Sequence, residues 1–273
     1  MSNLDQFTFT ADTTKYDPVN AYWLGNAARL AYSDSAVAQS TAAGWGFDRF
    51  RFFDRNDTQA YVAGNAQTII VAFRGTQPQL LKDWLTDCDT CFCGGSFGRV
   101  HQGFQRGLEQ VWSEVLATIV QFQDRGQSLW FTGHSLGAAL ATLAVASLRV
   151  PPNDKPVYGL YTFGQPRVGD REFEQRFNTD FKARAFRFVN NNDMVTRVPS
   201  RVAGFSHVGT FLYFDRAGDL HDDMGFWYRF VDRVQGSIDS LGHLTPDQIH
   251  DHDMADGYLR SLARNVAVNP FAP

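Results

Sequence analysis

The chain has 273 residues, 44% of them hydrophobic, and a formal net charge of −4 at neutral pH. That length and apolar content suffice for one large buried core and are ordinary for a single α/β domain. No basic stretch points to nucleic acid, no apolar run reaches the roughly 18 residues of a transmembrane segment, and the mild negative charge makes any lipid contact hydrophobic rather than electrostatic.

The first residues, Met1-Ser2-Asn3-Leu4-Asp5-Gln6-Phe7, carry neither a basic start nor an apolar run. The expectation is a soluble protein, cytoplasmic or exported without a cleavable signal peptide. Asp17-Pro18 reads as a helix cap followed by proline in the first turn, and Val19, Tyr22, Trp23, Ala27 and Leu30 recur at helical spacing. Residues 47–54 and 60–63 read as strands around the Asn56-Asp57 turn. Thr68–Phe73 is a β-branched run suited to a buried strand, and it ends in Arg74-Gly75-Thr76. Residues 77–98 form a connection with a short helix and the cysteines Cys88, Cys91 and Cys93. A structural zinc site needs four ligands and only His101 lies near as a fourth, so no metal is expected. The cysteines read as loop thiols, with a disulfide between two of them as the alternative.

Residues 103–125 form a long amphipathic helix stopped at Gly126. A strand at 128–132 then runs into Gly133-His134-Ser135-Leu136-Gly137 and the apolar stretch 138–148. Strand, sharp turn and helix around G-x-S-x-G constitute a nucleophile elbow, with the serine hydroxyl exposed at the tip and crowded positions two before and two after it. A loop at 151–154 leads to the strand Val157–Phe163 and then Gly164-Gln165-Pro166-Arg167-Val168-Gly169. Residues 170–177 read as a short helix capped by Asp170, 185–189 as a strand entering Asn190-Asn191-Asn192-Asp193, and 208–214 as a further strand. Helices at 226–241 and 254–264 complete the chain, with no repeat or linker, so 1–273 is read as one domain. Strands alternating with helices imply a mostly parallel central sheet with helices on both faces. Thr76, Ser135, Gln165 and Asp193 all follow strand ends, where such sheets bind ligands.

A serine hydroxyl attacks only when a neutral imidazole takes its proton. In an α/β-hydrolase the acid and then the histidine follow the serine in the chain, which sets aside His101 and His134. His252, just before the last helix, is the preferred base; His250 stays open as an alternative, while His207, His221 and His243 read as surface residues. Asp193 closes a polar turn after a strand and is the expected acid. Asp170, Asp180, Asp215 and Asp219 read as capping or solvated groups. The tetrahedral oxygen needs fixed donors. The Leu136 N–H is one, and Thr76, at the end of an earlier strand, offers an N–H and a hydroxyl.

Taken together, Phe73-Arg74-Gly75-Thr76, His101-x-Gly103-Phe104, Gly133-His134-Ser135-Leu136-Gly137-Ala138, Thr162-Phe163-Gly164-Gln165-Pro166-Arg167-Val168-Gly169, Asn192-Asp193-Met194-Val195 with Pro199, and His252 with Tyr258 resemble the class 3 lipase family. The match runs in order over roughly residues 60–260. The resemblance implies an α/β-hydrolase fold with a short helical lid, a catalytic triad of Ser135, Asp193 and His252, an oxyanion site at Thr76 and Leu136, and no cofactor or metal. It implies carboxylic ester hydrolysis on acylglycerols or other lipid esters. Phospholipase A1 and feruloyl-type esterase activity are the enzymatic alternatives, and a non-catalytic binding protein is the reading from a different class. The family's lid follows the oxyanion residue, here within 77–98. Leu80, Leu81, Trp84 and Leu85 share one helical face there, while Asp83 and Asp87 point elsewhere. Burial of that face at a lipid interface would offset its exposure on opening; a static surface helix is the alternative. The partners expected are a lipid or small ester substrate and a transient lipid interface. Oligomeric state is left open.

Overall fold

The computed structural model describes residues 4, 6–77, 91–149, 156–222, 250–268 and 270–271. Asp17 accepts hydrogen bonds from the Val19 and Asn20 N–H groups (2.8 and 2.9 Å), and helix α1 (Pro18–Leu30) starts there as the sequence predicts. A second helix, α2 (Ser35–Gly44), is absent from the sequence expectation: only Ala38 and Ala42 are buried, so small residues replace the apolar stripe that marks an amphipathic helix. Strands β1 (Arg49–Arg55) and β2 (Thr58–Gly64) form a hairpin. Its turn residues Asn56 and Asp57 hold positive φ angles of 44° and 67°, a conformation that these two residue types tolerate.

The central sheet continues with β3 (Thr68–Phe73) and, after a small hairpin of β4 (Phe92–Gly94) and β5 (Arg99–His101), with β6 (Ser128–His134). Strands β7 (Val157–Phe163), β8 (Ala185–Asn190), β9 (Thr210–Phe214) and β10 (Leu220–His221) follow. Among the described residues the order is β1-β2-β3-β6-β7-β8-β9-β10. β3, β6, β7, β8 and β9 run parallel, and the two edges are antiparallel. Residues facing alternate sides build two cores. Ile69, Val71, Phe73, Leu129 and Phe131 pack under α3 (Gln102–Phe122), α4 (Leu136–Ser147) and α5 (Arg171–Phe181). Ile70, Ala72, Trp130, Tyr161 and Phe163 pack under α1 and the C-terminal helix. This is the α/β-hydrolase arrangement.

The C-terminal element differs from the single α-helix expected over 254–264. Met254–Leu259 is a π-helical stretch that continues as α6 (Arg260–Arg264). The end of the 77–98 segment is strand β4, so a lid helix does not reach it. Leu80, Leu81, Trp84, Leu85 and Cys88, the loop at 151–154 and the helix expected at 226–241 lie outside the described residues. Cys93 lies in β4 with a free thiol that burial pushes up, with Glu109 adding to the effect. Among the described residues no helix is long and apolar enough to cross a membrane.

Candidate active site

β6 delivers Ser135 to the sheet's carboxyl edge, and α4 begins at the next residue. Ser135 has φ 57° and ψ −130°, a region costing on the order of 1–3 kcal/mol for a residue with a side chain. Its N–H donates to the Phe163 carbonyl at 2.9 Å, which holds the turn against β7. The turn closes because positions 133 and 137 lack side chains. A methyl group on Gly137 would overlap the Phe73 carbonyl oxygen, and one on Gly133 would overlap the backbone of Gly137. Leu136 N–H, in the first turn of α4, has no intrahelical acceptor and points its dipole end at the tip of the elbow.

The turn after β8 carries Asp193, which is completely buried. Its Oδ1 accepts from Val195 N–H (2.9 Å), and its carbonyl accepts from the Thr196 hydroxyl (2.9 Å). Its Oδ2 accepts from His252 Nδ1 (2.9 Å) and from the Tyr258 hydroxyl (2.5 Å). Burial, reinforced by Asp193, pushes the Tyr258 phenol far up, so it stays a donor. The same hydroxyl accepts from Asn190 N–H at 3.1 Å. Asp251 ties the two loops further: its carboxylate accepts from Asn191 Nδ2 (3.0 Å) and Asn192 N–H (3.2 Å), and its carbonyl from Asn190 Nδ2 (2.9 Å).

Ser135 Oγ, His252 Nε2 and Thr76 Oγ1 are among the buried side-chain atoms that meet no hydrogen-bond partner among the described residues. Buried polar groups are nearly always paired, so unspent capacity on these three side chains is chemically informative. Gly164 shows how tightly Asp193 and His252 are boxed in. A methyl group there would lie 2.8 Å from Asp193 Oδ2 and 2.8 Å from the His252 ring.

The alternative base faces elsewhere. His250 lines a polar cavity of about 570 Å³ together with Asp251 and Asp256. Two histidines read as surface residues are engaged: His221 Nε2 meets Asp215 Oδ2 at 3.0 Å, and His207 Nε2 donates to the Thr196 carbonyl at 2.8 Å. Burial first, then Arg187 and Arg167, holds the His207 imidazole far below the usual range and therefore neutral. Arg167, which burial pushes down to about 10, donates to the carbonyls of Arg197 and Pro199. Together Arg167 and His207 clamp the turn Val195–Arg197, directly after Asp193. His134 is not idle either: both ring nitrogens are engaged, one with Tyr32 Oη (2.8 Å) and one with the His252 carbonyl (2.7 Å). Sequence reasoning misses these supports, because each depends on a partner distant in the chain. His243 lies outside the described residues.

The family model for class 3 lipases matches residues 70–203, spanning the elbow and the Asp193 turn. The chain is similar to the class 3 lipase family over that stretch, just under half of its length. Among its relatives is a secreted mono- and diacylglycerol lipase of Fusarium solani, 35% identical over 60% of this chain and 49% of that protein. A triacylglycerol lipase of Arabidopsis thaliana is 27% identical over 87% of this chain and 59% of its own length. The solved triacylglyceride lipase of Rhizomucor miehei superposes with a TM-score of 0.64 at 27% identity, covering 73% of this chain and 80% of that one. The chain spans about half to three-fifths of the length of the first curated relatives it matches.

Proposed function

We propose that this chain is a serine carboxylic ester hydrolase, a lipase acting on acylglycerols through an acyl-enzyme. The observation that carries the reading is the 2.9 Å contact of His252 Nδ1 with buried Asp193, combined with Ser135 Oγ and His252 Nε2, both buried and without a partner among the described residues. His252 Nε2 takes the Ser135 proton as Oγ attacks the ester carbonyl carbon. Asp193 holds the proton on Nδ1 and stabilises the imidazolium without being protonated. The negative oxygen of the tetrahedral intermediate receives the Leu136 N–H and the Thr76 N–H and hydroxyl. His252 then gives its Nε2 proton to the departing alkoxide oxygen, and an alcohol leaves. Water repeats the sequence on the acyl-enzyme: His252 takes its proton, the hydroxide oxygen bonds to the acyl carbon, and Ser135 Oγ leaves with the proton returned.

The relatives' names favour mono-, di- and triacylglycerols over phospholipids or feruloyl esters. The apolar stripe Leu80, Leu81, Trp84 and Leu85 supports contact with a lipid interface. A fluorophosphonate probe tests the chemistry: label should appear on the wild type and on Ser147→Ala, and disappear in Ser135→Ala. Hydrolysis by Ser135→Ala should fall by ~10⁴-fold or more in kcat. A panel of di- and triacylglycerol, phosphatidylcholine and a feruloyl ester tests the substrate class, with acylglycerols expected to be fastest. Labelling that survives Ser135→Ala rejects the mechanism.

A further inference from the structure

We propose that Tyr32 and His134 are positioning residues that link the oxyanion loop, the nucleophile elbow and the base loop through one hydrogen-bond chain of fixed direction. The inference rests on the esterase reading for its kinetic consequence, but the chain itself follows from geometry. His134 closes β6 immediately before Ser135 and is buried. Its Nε2 lies 2.7 Å from the His252 backbone carbonyl, which can only accept. Nε2 therefore carries the proton, and Nδ1 of the neutral ring carries the lone pair. Tyr32 Oη, 2.8 Å from that Nδ1, must then donate. Burial, with His252 adding to it, drives the His134 imidazole far below its usual range, which holds the ring neutral. Burial also pushes the Tyr32 phenol up, against Arg74 and with Asp253, so its proton is retained.

The Tyr32 oxygen in turn faces the Gly75 N–H, one residue before Thr76. A methyl group on Gly75 would overlap the Tyr32 hydroxyl and the His134 carbonyl and would lie 2.9 Å from Ser135 Cβ. The path is thus Tyr32 O–H to His134 Nδ1 and His134 Nε2–H to the carbonyl of His252, with the Gly75 N–H facing the Tyr32 oxygen at its start. Each of the three loops supplying the proposed machinery holds one end or the middle of the path. The His134 ring also sits beside the His252 ring, centroids 4.4 Å apart and planes tilted by 32°. A neutral neighbour there lets the imidazolium form transiently on His252, where a second cation would repel it.

Two measurements on the full chain test this. Long-range ¹H–¹⁵N correlation on histidine-labelled protein should show His134 as the Nε2–H tautomer, unchanged from pH 6 to 9. An Nδ1–H tautomer, or titration in that range, overturns the proposal, and this readout does not depend on activity. On a short-chain soluble ester, Tyr32→Phe should lower kcat ~10-fold and His134→Phe ~10²-fold, with KM within about twofold, because small misplacement of reacting groups acts on the chemical step. His134→Gln, which restores a donor and an acceptor, should recover part of the loss. A folded Tyr32→Phe protein with unchanged kcat overturns the proposal. So does a loss in which kcat, KM and melting temperature all degrade together and His134→Gln gives no recovery, the pattern of a packing role alone. If Tyr32→Phe fails to fold, the tautomer and the His134→Gln to His134→Phe comparison decide. A wild-type protein that neither hydrolyses esters nor takes a fluorophosphonate label counts against the esterase reading, while the tautomer still judges the hydrogen-bond chain.

Discussion

Asp193 is wholly enclosed, and donors surround its carboxylate. Val195 N–H serves one oxygen, and His252 Nδ1 and Tyr258 O–H serve the other. Asp193→Asn should keep the fold and lower kcat by up to ~10⁴-fold, because an amide can hold the imidazole in the wrong tautomer. Gly164→Ala forces a sharper question, since its methyl group would lie 2.8 Å from both the carboxylate and the imidazole at a φ of 59°. Neither neighbour can yield without moving the acid–base pair, so kcat should fall ~10²-fold with little change in KM on a soluble ester. A Gly164→Ala protein with wild-type kcat would show that the pair tolerates displacement. The sequence names Ser135, Asp193 and His252 because each has a local signal: an elbow, a polar turn after a strand, a loop before a helix. Some of the residues that hold them sit in the same motifs, but nothing local tells what they touch. His134 meets the His252 carbonyl 118 residues away, and Tyr258 reaches Asp193 across 65. His207 reads as a surface residue, and the motif that contains Arg167 does not tell its partners, until folding sets both against backbone carbonyls.

At the level of elements, caps and periodicity are readable where the apolar pattern is strong. The Asp17 cap, the buried run of β3 and the apolar α4 are examples. The hairpin of β4 and β5 has three-residue strands, too short to show alternation. The π-helical stretch Met254–Leu259 reads as a small phase slip in an otherwise helical pattern, yet it is the segment that presents Tyr258 to Asp193. Asp170 gives this scale its prediction. It caps α5 through Phe173 N–H (3.0 Å) and pairs with Arg99 Nε (3.0 Å), binding that helix to β5. Burial opposes ionisation of its carboxyl, but the Phe173 N–H and the Arg99 contacts outweigh it and hold the group below the usual carboxylate range. Its folded value therefore lies below the unfolded value of about 3.9, and the stabilisation is complete above that pH and lost as pH falls through the folded value. Asp170→Asn keeps the cap oxygen but removes the charge, so it should cost about 0.5 kcal/mol at pH 7, and the difference from wild type should shrink below about pH 4. Calorimetry of both proteins at pH 7 and pH 3 checks it; a gap of equal size at both values would assign the effect to packing.

Across the whole molecule, alternating strands and helices are enough to place four strand-end residues at one edge of a parallel sheet. The antiparallel edges and the order of strands need the pairing itself. Net charge also acts at this scale. At −4 the chain is repelled by an anionic surface, while an apolar stripe such as Leu80, Leu81, Trp84 and Leu85 gains from a lipid surface whatever the charge. Repulsion between a protein and a surface is cut off beyond about 10 Å at 0.1 M salt, whereas burial of apolar area is not weakened by screening. Hydrolysis of a neutral acylglycerol emulsion should therefore depend weakly on salt between low ionic strength and 0.2 M. The same emulsion carrying an anionic amphiphile should be hydrolysed more slowly at low salt and recover as salt is added, with no matching change on a dissolved ester. Faster hydrolysis on the anionic surface at low salt would mean that a local basic patch, not the net charge, governs how this chain meets an emulsion. Trp84→Ser should then leave the emulsion rate unchanged, whereas under hydrophobic docking it lowers that rate and spares the dissolved ester.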